Sequence, residues 1–97
     1  MEDRIHLRLV TPGGSALERT VSYVRVPTPE GSVGILANHA PMLFAVGKGT
    51  MLCAMPEGET LCRMEDGTER VFCVPSGVAE IRDNRVTILS DRAEERT

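Results

Sequence analysis

The chain has 97 residues, a formal net charge of −3, 41% hydrophobic and 26% charged residues, which is too apolar for disorder and enough for one domain with a small two-layer core. That acidic balance, with one Tyr, two Phe and no Trp, argues against a phosphate-gripping surface or a base-stacking platform, so no nucleic acid is expected as a partner. No apolar run approaches the roughly 20 residues that span a bilayer, and Met1–Arg4 begins no signal-like segment, so any membrane association is expected to come through a partner.

In chain order, Ile5, Leu7 and Leu9 alternate with His6, Arg8 and Val10, which predicts a strand with one apolar face. Thr11-Pro12-Gly13-Gly14-Ser15 reads as a turn. Residues 17–26 read as a second strand whose apolar positions change parity partway, from Leu17, Val21 and Tyr23 to Val24 and Val26. That change predicts a bulge or a strand serving two sheets. Pro27-Thr28-Pro29 is expected to block regular pairing. In Glu30–Leu43, Gly31 and Gly34 suggest positive φ or close approach to another chain, and Pro41 pushes Ala40 towards extended geometry. The expectation is a strand, an exposed kinked loop at Ala37–Pro41, and a strand over Met42–Val46 before a turn at Gly47-Lys48-Gly49.

Hairpins follow. Thr50–Met55 and Glu59–Glu65 flank Pro56-Glu57-Gly58, a three-residue loop; Glu59–Glu65 and Thr68–Val74 flank a two-residue Asp66-Gly67 turn; Gly77–Arg82 and Arg85–Ser90 flank Asp83-Asn84. These registers set Cys53 opposite Leu61, Cys62 opposite Leu52 and Val71, and Cys73 opposite Thr60. Cys62 and Cys73 are then diagonal, about 7–8 Å apart, which is too far for a bridge. A two-residue Glu57-Gly58 turn would bring Cys53 opposite Cys62, but it places Pro56 where the ladder needs an N–H. Three free thiols are expected, with no zinc site, since no Cys-x-x-Cys occurs. About nine or ten short strands with no helical pattern before residue 91 predict an all-β antiparallel sandwich over residues 1–90. Residues 91–97 form a tail of helix-forming composition, too short to be a stable helix alone.

Catalysis finds little support. His6 sits on a strand, no Cys or Ser has a base nearby in sequence, and the Glu94-Glu95 pair reads as solvated charge. No catalytic residue, cofactor or metal is assigned. Two other features point to contact with a partner. His39 is a polar ring on an exposed loop. Met42–Val46 and Met51–Met55 are apolar at both parities and need cover on both faces.

Glu30-Gly31-x-x-Gly34-Ile35-x-x-x-His39-Ala40-Pro41-x-Leu43 resembles the signature loop of the epsilon subunit of the F-type ATP synthase, the delta subunit of mitochondria. Ile5–Pro12 looks like that family's first strand, and Pro75–Ile81 and Val86–Ala93 like its last two, so the resemblance covers about residues 4 to 93. It implies a non-catalytic central-stalk subunit that links the gamma subunit to the c-ring and couples ion translocation to ATP synthesis. It would lie on the cytoplasmic face of the bacterial inner membrane through the complex, and be a monomer in isolation. By the same resemblance, Asn38, His39, Ala40, Pro41 and Met42 would face gamma, and Glu30, Gly31 and Ser32 would face the c-ring. Many members carry an acid where Ser32 stands, which leaves Glu30 as the one acid at this tip. Members usually add a C-terminal pair of helices that can inhibit ATP hydrolysis and sometimes bind ATP. As given, the chain is expected to act as no such brake and to bind no nucleotide, since no glycine-rich phosphate loop with Lys and Ser/Thr occurs. The competing reading is a stand-alone β-sandwich module for a peptide or ligand, which a concave pocket with convergent polar groups would favour.

Overall fold

A computed structural model describes residues 4–47 and 59–96, which hold nine strands and no helix. In chain order these are β1 (Ile5–Thr11), β2 (Gly14–Thr28), β3 (Gly31–Ile35), β4 (Met42–Val46), β5 (Glu59–Met64), β6 (Glu69–Cys73), β7 (Gly77–Arg82), β8 (Arg85–Ser90) and β9 (Glu94–Arg96). The strand expected over Thr50–Met55, and with it Cys53, lies outside the described residues.

The apolar positions that alternate in sequence meet in one core. Ile5, Leu7 and Leu9 of β1 pack with Val21, Val24 and Val26 of β2, Ile35, Phe72, Ala79, Ile81, Val86 and Ile88. β2 is the organising strand. Its first half pairs with β1 and its second half with β3 and β5. Val24 pairs with both Ile35 and Cys62, so β3 and β5 lie on opposite edges of it. The parity change is realised as a register shift between Val21 and Tyr23. The described ladders form one continuous nine-stranded sheet, and β2 joins its two halves, a first sheet β4-β7-β8-β1-β2 and a second β3-β2-β5-β6-β9.

Four expectations change. Pro27 and Thr28 do not end the pairing: they belong to β2, opposite Ser32 and Gly31. Within a strand, the N and O of one residue point to the same edge. The Pro27 carbonyl accepts from Gly47 N at 2.8 Å, so the proline nitrogen also faces away from β3 and costs that ladder no donor. Second, the β1–β8 ladder is parallel, from His6 opposite Arg85 to Val10 opposite Leu89, whereas the other described ladders are antiparallel. Hairpin signals report neighbours in sequence, and this contact joins strands from opposite ends of the domain.

Third, the β5–β6 hairpin closes on three residues, Glu65-Asp66-Gly67. Gly67 N donates to Met64 O at 3.0 Å and Met64 N to Thr68 O at 2.7 Å, with Gly67 at φ 91°. This is a type I turn with a glycine bulge, and it moves the register by one residue. Cys62 therefore faces Arg70, and Cys73 faces Glu59. Cys62 is a buried free thiol, but Cys73 is disulfide-bonded, which overturns the expectation of three free thiols. Opposition within one hairpin cannot exclude a bond made outside it. Fourth, part of the tail is a strand: β9 pairs with β6, Glu95 opposite Phe72. Helix-forming composition yields here to a sheet edge that accepts another strand.

The turn gives a pH test. Asp66 Oδ1 accepts from Thr68 N at 2.8 Å, and this bond holds the carboxyl below its ordinary value of 3.8. Since the folded value is the lower one, the turn's contribution is present above pH 3.8 and fades as pH falls through the depressed folded value. Carboxyl NMR titration is expected to place Asp66 below 3.8, and a midpoint at or above 3.8 would contradict this geometry.

Candidate interaction surface

The loop after β3 is built as its sequence suggests. Asn38 takes φ 67°, a conformation Asn tolerates better than most residues. Its backbone N donates to Asn84 Oδ1 at 2.5 Å, and Asn84 Nδ2 donates to Asn38 Oδ1 at 3.3 Å. Asn84 lies in the two-residue β7–β8 turn, where Asp83 and Asn84 have φ 50° and 59°, and its carbonyl also accepts from His6 N at 2.9 Å. The Asp83-Asn84 signal therefore makes the turn and also anchors a second loop. His39 is half-buried, and its Nδ1 donates to the Ala40 carbonyl at 2.8 Å. Ala40, Pro41 and Met42 are exposed.

Glu30, Gly31 and Ser32 stand at the other end of β3. Glu30 N donates to Thr28 Oγ1 at 3.2 Å, Gly31 has φ 147°, and Glu30 and Ser32 are exposed. Strand β3, five residues or about 17 Å long, begins with Gly31 and Ser32, and the Asn38–Met42 loop lies beyond its far end. The structure therefore gives two separate candidate contacts rather than one patch. Gly34, between them, meets a side chain of its own chain: a Cβ there would lie 2.9 Å from Tyr23 Oη.

A third feature was only half legible. On the outer face of the first sheet, Ala45 lies opposite Val78, Val78 opposite Leu89, and Leu89 opposite Val10. The next residue along each strand, Val46, Ala79, Ile88 and Leu9, is buried, so this row points outward. Leu89 is 52% exposed, Val78 44% and Leu43, two residues from Ala45, 72%. The adjoining row runs Leu43, Glu80, Thr87, Arg8 and Glu18, and is polar except at Leu43. His6 continues that polar side, its Nε2 at 2.9 Å from Glu18 Oε2, which makes it the sheet-face side chain expected. An apolar stripe with a polar rim is the anatomy of a protein docking face. The signal was present singly, in Val10, Val78 and Leu89, each an apolar residue at a parity that should be polar. Only the register lines them up.

A hollow of about 440 Å³ between Arg4, His6, Thr20, Asp83, Asn84 and Arg85 is open to solvent, and no group of three or more metal-ligating side chains occurs among the described residues. No helix of the described residues is long and apolar enough to cross a membrane.

The sequence profile described as the ATP synthase Delta/Epsilon chain, beta-sandwich domain, matches residues 4–96. The chain belongs to the ATP synthase delta/epsilon family. The ATP synthase epsilon chain of Nitratidesulfovibrio vulgaris (strain Miyazaki F) is 38% identical over 94 residues, which are 97% of this chain and 63% of that one. That of Maridesulfovibrio salexigens is 39% identical over 94 residues, 97% of this chain and 59% of the relative. The chain thus spans less than two thirds of the length of these relatives. A chain in the cryo-EM structure of the Euglena gracilis mitochondrial ATP synthase (OSCP/F1/c-ring, rotational state 1) shares the fold with a TM-score of 0.83 at 22% identity, over 98% of this chain and 55% of that one. The family match thus covers this chain nearly from end to end.

Proposed function

We propose that this chain is a non-catalytic rotor element of an F-type ATP synthase, in which the first sheet docks on the gamma subunit and the Glu30–Ser32 tip faces the c-ring. Membership of the family supplies the complex. The observation that carries the docking is the outward row Ala45–Val78–Leu89–Val10 with Leu43 beside it, an apolar surface that a solitary domain has no use for. The Asn38–Met42 loop adjoins that face, because it leads into the strand whose Leu43 and Ala45 point outward, and Asn84 holds the loop down. Coupling by this chain is mechanical: a rigid sandwich clamped at two places transmits torque without a reacting group. In a bacterial cell the complex would hold it at the cytoplasmic face of the inner membrane, with no insertion of its own.

The test is capture of purified gamma subunit by this chain, compared with His39→Asp. The ring is half-buried against local backbone, so an added carboxylate at a docked surface is expected to weaken gamma binding by about tenfold or more, with circular dichroism unchanged. Unchanged affinity removes His39 from the interface. Absence of gamma binding by the parent chain removes the rotor reading itself.

A further inference from the structure

All three residues of β9, Glu94, Glu95 and Arg96, are exposed, so the strand buries none of its own side chains. It lies on the outer edge of β6, paired with Val71–Cys73. Two side-chain pairs tie it to neighbouring strands. Arg70 Nε and Nη2 donate to Glu95 Oε2 and Oε1 at 2.7 and 2.6 Å, a bidentate grip, while the same guanidinium lies 5.5 Å from the centre of the Phe72 ring. Arg96 Nη1 meets Glu59 Oε2 at 2.7 Å. The first grip holds Glu95 below the ordinary carboxylate range and raises Arg70, as a charge pair should. Nothing local favours the extended form: Ala93-Glu94-Glu95-Arg96 is poor in strand-forming residues. The segment is joined to β8 by Asp91-Arg92-Ala93; Arg92 N donates to Ser90 Oγ at 3.3 Å, and Ala93, partly buried against the core, is an apolar contact that lifting β9 must release.

We propose that β9 is an electrostatic latch: it docks on and lifts off the β6 edge as a unit, pivoting at Ser90–Arg92, with the Arg70–Glu95 and Arg96–Glu59 pairs deciding between the two states. The lifted state presents Val71–Cys73 as an open sheet edge, the kind of site that takes an extended strand. The sheet edge involved is remote in topology from the β4-β7-β8-β1 face, so the latch works whether or not that face is docked.

Amide hydrogen exchange on the whole chain reads the latch directly. Raising salt from about 0.01 to about 1 M shortens the screening length from about 30 to about 3 Å. Exchange of the Val71 and Cys73 amides, which face β9, and of the Glu94 and Arg96 amides is expected to accelerate tenfold or more, with Phe72, which faces β5, and β1–β2 and β7–β8 unaffected. Glu95→Gln is expected to produce that acceleration at low salt and to abolish most of the salt response. The double variant Arg70→Glu/Glu95→Arg is expected to restore protection, and Arg96→Ala to give an intermediate effect. Salt-independent protection at Val71 and Cys73, or parental protection there in Glu95→Gln, overturns the proposal. Uniform acceleration across all strands in Glu95→Gln also overturns it, because β9 would then be an integral part of the sandwich.

Discussion

Leu89→Glu is expected to leave the domain folded and to abolish the proposed docking on gamma. Leu89 points outward at 52% exposure, so in the isolated domain the substitution should move stability by no more than about 0.5 kcal/mol. At a docked apolar face the same carboxylate loses its water and gains no partner. Its neighbours across the ladders are Val78 and Val10, and neither offers a donor. An uncompensated charge of this kind costs several kcal/mol, so affinity for gamma should fall by about 10²-fold or more. Thermal melting and a gamma pull-down measure the two halves separately. Parental binding by the variant would show that another surface of the sandwich docks. The polar rim supplies the control: Thr87→Glu, one row away, should have a much smaller effect.

Gly47→Ala is expected to be the most damaging single methyl in the described structure. Gly47 has φ 96°, where a side chain is strained, and an added Cβ would lie 2.0 Å from the Pro75 carbonyl oxygen and 2.9 Å from Ser76 Cα. Both obstacles are backbone, so neither can rotate away. Relief requires moving the end of β4 from the start of β7, and with it the Gly47 N to Pro27 O bond that ties the two sheets. Strain and overpacking together should cost about 3 kcal/mol or more. For a domain of this size that is a fall in Tm of about 12 °C or more. Gly13→Ala is the matched control, because the nearest atom to its Cβ is Thr11 Oγ1 at 3.9 Å. Equal melting of the two variants would refute the close approach at Gly47.

Local chemistry made the sandwich legible. The Asp83-Asn84 turn, the alternation of Ile5, Leu7 and Leu9, and the parity change in β2 each report an interaction between residues close in sequence, and each is where the pattern puts it. The Asp66-Gly67 dipeptide supports a two-residue turn as well as the bulged three-residue form that the structure has. The choice depends on which pairing buries Cys62 and Phe72, and a dipeptide does not encode that. What local pattern could not show were the contacts between distant elements: β1 beside β8, β9 on β6, the Asn38–Asn84 bond, and the bonding of Cys73. The apolar row falls in the same class. Its residues come from four strands, and only the ladders make them neighbours. His39, by contrast, was easy to single out, and the structure gives it a local backbone bond and a half-buried ring.

The parallel β1–β8 ladder bears on how the protein is made. During synthesis β1 emerges first, and its β2 partner follows at once, but its other edge stays open until Arg85–Leu89 arrive, near the end of the described chain. A pairing closed across almost a whole domain is slow to form, and a strand edge left waiting is prone to stick to others. The nascent chain should therefore gain protease resistance late and abruptly, after β8 clears the ribosome. A stop before Val86 should then yield aggregates rather than a smaller stable unit.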